Sequence, residues 1–105
     1  MEDFKIIYKI LKALHDAMDF EEFSHEAISP EVLGITQARW NVLMAMLVKN
    51  GYVEDVALTP ILGRQVVASL GRRPQITLKG LEYLEENSMM KKAAKAAKGI
   101  IDVLT

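Results

Sequence analysis

Hydrophobic positions near the start of the chain recur at steps of three and four. Phe4, Ile7, Leu11, Leu14 and Met18 share one side of a helix, and Lys5, Lys9, Lys12 and Asp16 share another. Glu2 to about Met18 is therefore predicted as an amphipathic helix. Its apolar arc is wide: Ile6, Ile10, Ala13 and Ala17 form a second stripe beside the first, more than one packing neighbour requires. A second contact surface is expected there.

The next helix signals are local. Ser29 can cap, Pro30 can take the first helical position and Gly34 can supply a left-handed stop, which predicts a short helix. Thr36 then caps a longer one from Gln37 to about Asn50, with Trp40, Leu43, Met44 and Leu47 on one face and Gly51 at its end. The Gly34-Ile35-Thr36 link is tight, and two helices joined so closely form the helix-turn-helix pattern. Tyr52-Val53 through Leu58 and Gln65 to Leu70 suit two strands, with Gly63, Gly71 and Pro74 expected at turns. Thr77 caps a helix over 78–86, Asn87 or Ser88 marks a break, and Met89 to about Leu104 predicts a last helix. The expected fold is α+β and mostly helical: a winged helix-turn-helix with one β-wing and an added C-terminal amphipathic helix.

Composition narrows this to one domain. A chain of 105 residues, 50% hydrophobic and 26% charged, has room for one core and the apolar content to fill it, so residues 1–105 are expected to form a single domain. It has no cysteine, which excludes disulfides, thiolate metal sites and a thiol nucleophile. The lysines of the first helix break any signal-peptide pattern, and no run of about 18 apolar residues is long enough to span a bilayer. A cytoplasmic, membrane-free protein is expected. The net charge of −1 hides an uneven distribution. From Thr59 to Gly99 eight bases face three acids, a net +5, whereas acids gather between Asp16 and Glu31.

The order helix, short helix, helix, wing, helix, with Lys49-Asn50-Gly51-Tyr52-Val53 and Ile76-Thr77-Leu78-Lys79-Gly80-Leu81-Glu82-Tyr83-Leu84, resembles bacterial winged-helix proteins. The second motif is similar to their L-T-x-x-G-x-x-Y-L helix start. More narrowly, Ile35-Thr36 through Gly51-Tyr52 and the stretch from Ile76 to Asn87, followed by a lysine-rich helix, resemble the YjcQ family. The resemblance covers nearly the whole chain. It implies a small winged-helix protein of Gram-positive bacteria or their phages, and it implies no particular activity.

Two functions compete. In a DNA-binding regulator, Gln37, Arg39, Asn41 and Lys49 of the third helix would face the major groove, and Arg64, Arg72, Arg73 and Lys79 would contact phosphates, because arginine bridges phosphate or guanine acceptors and Asn or Gln pairs with adenine. The outer face of that helix is nevertheless poor in polar groups: Ala38, Val42 and Ala45 lie opposite the core positions, with only Lys49 charged. That face speaks for the alternative, a non-enzymatic protein-interaction module acting as scaffold or adaptor, whereas the net +5 segment speaks for DNA, and DNA binding as a dimer is the first expectation. In the last helix Met90, Ala94, Ala97, Ile101 and Leu104 sit opposite Lys91, Lys92, Lys95 and Lys98, and with Ile6 and Ile10 they form the expected homodimer interface.

Enzymatic signals are weak. His15 and Asp19 stand at helical spacing without a third ligand, and Ser24-His25-Glu26 are chain neighbours, which rarely converge as a triad. No metal, cofactor or catalytic residue is expected.

Overall fold

The computed structural model describes residues 2–63 and 65–87. Helix α1 spans Glu2–Asp16, with Glu2 and Asp3 complementing the helix dipole in its first turn. Short 3-10 turns follow at Ala17–Asp19 and His25–Ile28. Helix α2 is Pro30–Leu33 and α3 is Gln37–Lys49, and strands β1, Val53–Pro60, and β2, Val66–Ile76, pair antiparallel as a hairpin. Residues 78–87 form helix α4. The fold is thus α+β and mostly helical, with one two-stranded sheet among the described residues.

The caps expected around α2 and α3 are present. Ser29 Oγ accepts from Val32 N–H at 3.2 Å, Gly34 takes the left-handed conformation, and Thr36 Oγ1 accepts from Arg39 N–H at 3.1 Å. Trp40, Leu43, Met44 and Leu47 of α3 are buried against Ile10, Leu11 and Leu14 of α1, Ile28, and Val53, Ala68 and Ile76 of the hairpin. Each of the buried Leu, Ile, Val and Met side chains contributes about 1.5–3 kcal/mol by leaving water. Trp40 also donates its indole N–H to the Ile28 carbonyl at 2.7 Å, which satisfies two buried polar groups and fixes the His25–Ile28 turn on α3.

Helix α1 is turned differently from its hydrophobic pattern. Ile6, Ile10, Leu11 and Leu14 point into the core, while Phe4 and Met18 are 57% and 58% exposed. The core stripe lies between the two predicted stripes, taking Ile6 and Ile10 from one and Leu11 and Leu14 from the other, and Met18 falls in a 3-10 turn that leaves the α-helical register. Ile6 and Ile10, expected at a dimer surface, are core residues of the single chain.

Strand β2 runs through Gly71 and Pro74 instead of turning there. Glu54 pairs with Gln75 but Val56 pairs with Leu70, so Gly71, Arg72, Arg73 and Pro74 stand opposite Asp55 alone. Asp55 has a φ of 60°, and its carboxylate accepts the Arg73 backbone N–H at 2.8 Å. A Cβ on Gly71 would lie 2.2 Å from Asp55 Oδ1, and Pro74 tolerates the bulge because no ladder N–H is required of it.

The base of the hairpin is closed by Thr77. Its N–H donates to the Tyr52 carbonyl at 3.0 Å, its hydroxyl donates to the Gly51 carbonyl at 2.5 Å, and its oxygen accepts from Gly80 N–H at 3.1 Å. Helix α4 begins so close to this turn that a Cβ on Gly80 would sit 2.5 Å from the Tyr52 carbonyl oxygen. Leu84 reaches the core, and the Tyr83 ring packs at 5.4 Å from that of Tyr52. Burial pushes the Tyr83 phenol up from its ordinary pKa, and Tyr52 adds to the rise.

Candidate interaction surface

The residues expected to touch DNA do not form one polar surface. Arg39 turns toward α1 and pairs with the Asp3 carboxylate at 2.5 Å. Asn41 is half-buried, and its side-chain oxygen accepts from Gln37 Nε2 at 3.2 Å and from the Ala68 backbone N–H at 3.1 Å. It therefore fixes the hairpin against α3 and spends its acceptor on the protein. Arg73 is likewise occupied: its guanidinium donates to the carbonyls of Glu21 at 2.5 Å, Ala17 at 3.1 Å and Phe20. A fork of donors suits a cluster of carbonyls gathered where a 3-10 turn ends, of which that of Ala17 also accepts from Phe20 N–H at 3.0 Å.

Three exposed cations remain among the described residues expected to contact DNA. Arg72 has no hydrogen-bond or ion-pair partner among the described residues, Lys49 stands at the last turn of α3, and Lys79 lies 5.6 Å from the centre of the Tyr52 ring. Arg64 lies outside the described residues, as do Met90, Ala94, Ala97, Ile101 and Leu104 of the expected C-terminal helix. Of the expected dimer interface, Ile6 and Ile10 are thus excluded by burial and the remainder falls outside the described part.

What the outer side of α3 does form is a groove of about 400 Å³ between the helix and the start of β2. Ala38, Val42, Ala45 and Met46 supply its helical wall and Gln65 and Val66 the strand side, while Asn41 and Lys49 bring the polar groups. Val42 and Met46 are 55% and 49% exposed, whereas Ala45, expected on the outer face, is buried and forms part of the floor. The small side chains at 38 and 45 leave room for a close approach, and among the described residues no acid lines the groove. At the hairpin tip Ile61 and Leu62 are also exposed.

The possible catalytic neighbours separate as well. His15 Nδ1 lies 3.0 Å from Asp16, not Asp19, because the helix ends at Asp16 and the following 3-10 turn changes the spacing. Asp16 also accepts from Lys12 at 2.8 Å, and these two hydrogen bonds, that from Lys12 foremost, hold its carboxyl below the ordinary value. His25 packs its ring 6.2 Å from Phe23. Among the described residues no three His, Asp or Glu side chains are grouped to hold a metal, and no helix is long and apolar enough to cross a membrane.

The role of Arg73 has no signal in the sequence, since its acceptors are backbone carbonyls more than fifty positions away. The groove is foreshadowed by the apolar residues at 38, 42 and 45. Comparison with curated proteins finds no match. The sequence model of the YjcQ protein family matches residues 8–103, a span that takes in α3, the hairpin and the Thr77–Gly80 start of α4, and the chain belongs to the YjcQ family.

Proposed function

We propose that the chain is a winged helix-turn-helix module without enzymatic activity, and that it docks a protein segment in the groove beside α3. Its helix–turn–helix–hairpin order supports the architecture. The observation that carries the docking reading is the apolar, exposed outer side of α3, where a DNA-reading helix needs donors and acceptors. Arg39 and Asn41, the polar side chains best suited to base edges, are engaged with Asp3 and Ala68. A helix laid in such a groove would anchor by apolar residues at three- and four-residue spacing, close to the small side chains of Ala38 and Ala45.

The second reading is DNA binding by the wing, favoured by the exposed and unpaired Arg72. Two measurements separate them. Selection of random peptides displayed on phage against the full chain should recover amphipathic helical sequences whose binding is lost in Val42→Glu; failure to recover any groove-dependent peptide overturns the docking reading. Titration with generic duplex DNA should show no binding at physiological salt. Salt-sensitive binding that weakens in Arg72→Ala would establish the second reading instead, because phosphate contacts release counterions.

A further inference from the structure

Among the described residues the groove is lined by no acid, has small side chains at Ala38 and Ala45, and follows α3 from Ala38 to Lys49. At 1.5 Å per residue α3 extends roughly 20 Å. One segment of the chain has the matching pattern. Met90, Ala94, Ala97, Ile101 and Leu104 recur at helical spacing over residues 89–104, which as a helix would present a seam of roughly 24 Å rich in small side chains. Charge also divides along the chain. Residues 1–87 carry nine bases and thirteen acids, a net −4, while residues 88–105 carry four bases and one acid, a net +3. Among the described residues the one charged side chain lining the groove is Lys49, so the lysines of the segment would face away from the groove wall, toward the solvent and the acids of the body. The family match extends to residue 103, so this segment belongs to what defines the family.

Connectivity decides whose groove is filled. Leu81, Leu84 and Glu85 share a cleft with Tyr8, Lys12 and His15, which places the described end of α4 over α1. The groove lies on the other side of α3, away from the Leu43, Met44 and Leu47 face that packs on α1. Passing around a helix some 10 Å or more across needs far more chain than Ser88, which spans about 3.5 Å.

We infer that residues 89–104 of a second copy occupy the α3 groove, giving a dimer in which each chain inserts its C-terminal segment into its partner. This rests on the groove being a protein-docking site.

The test uses sedimentation of the full-length chain over a concentration series, for wild type, Val42→Glu in the groove and Ala94→Glu in the segment. Wild type should dimerise, and each substitution should raise the dissociation constant by at least about tenfold. Mixing the two variants should restore a heterodimer, because Val42→Glu keeps an intact segment and Ala94→Glu keeps an intact groove. That recovery also shows that both variants fold. A wild type that stays monomeric, a dimer indifferent to both substitutions, or variants that fail to complement would each overturn the inference. A monomer whose groove still binds selected peptides would sink self-association and leave the docking reading standing.

Discussion

Arg73 is a structural tie, and its removal should cost stability without affecting nucleic-acid binding. Its guanidinium serves the carbonyls of Ala17, Phe20 and Glu21, joining the β2 bulge to the chain after α1. Hydrogen bonds to a charged group contribute about 1.5–3 kcal/mol each when well shielded. Two of the three acceptor residues, Phe20 and Glu21, are exposed, so water takes over their carbonyls when the arginine is gone. The expected loss for Arg73→Ala is thus nearer to that of one bond than three, about 2 kcal/mol. With a urea slope of about 1 kcal/mol/M for a small domain, the unfolding midpoint should fall by about 2 M with an unchanged slope. Arg73→Lys should recover only part of this, because an ammonium lacks the planar fork. Urea unfolding followed by circular dichroism reads the effect, with duplex DNA titration of the same variant as control. A midpoint shift below about 0.5 M, or a loss of DNA affinity with full stability, would refute the reasoning and return Arg73 to the surface.

Gly80→Ala should destabilise by about 1–3 kcal/mol although alanine is the better helix former, since its Cβ would meet the Tyr52 carbonyl oxygen at 2.5 Å; a raised melting temperature would contradict this. Trp40→Phe leaves the buried Ile28 carbonyl without its donor and should cost about 1–3 kcal/mol in denaturant unfolding, whereas a neutral effect would mean that the carbonyl finds another partner. The raised pKa of Tyr83 favours the neutral phenol in the folded state. Its contribution is therefore complete below the ordinary value of 10.0 and is lost as pH rises through the higher folded value. In a tyrosinate absorbance titration the last phase should disappear in Tyr83→Phe, and an unchanged late phase would rule out Tyr83 as its source.

The parts of the fold legible in the sequence are those whose causes are local. Ser29, Pro30, Gly34 and Thr36 each act within a few residues, so α2, the tight link and α3 follow from their order. The rotation of α1 is set by distant partners, and a wide apolar arc admits several rotations; that is why Ile6 and Ile10 belong to the core and Phe4 does not. Gly71 and Pro74 carry the usual marks of a turn, but the positive φ of Asp55 and its bond to Arg73 N–H absorb them into a bulged strand. The candidate site divides in the same way. The apolar outer side of α3 is visible from periodicity, whereas the engagement of Arg39 by Asp3 and of Asn41 by Ala68 requires elements far apart in sequence to meet.

The closure at Thr77 gives the hairpin a particular freedom. The chain leaves at Gly51, returns at Thr77 and is clasped there by two hydrogen bonds, and the rest of the fold senses the hairpin through this base, through the packing of its strands on α3 and α1, and through the Arg73 tie. Residues at the tip around Leu62 lie beyond all of these. Adding residues there lengthens a loop whose ends are already held, and each doubling of loop length costs only about 0.6 kcal/mol. The tip is consequently the place where related chains can differ in length, and where a fluorophore or an affinity tag can be inserted, while the clasp keeps α3 and α4 in register.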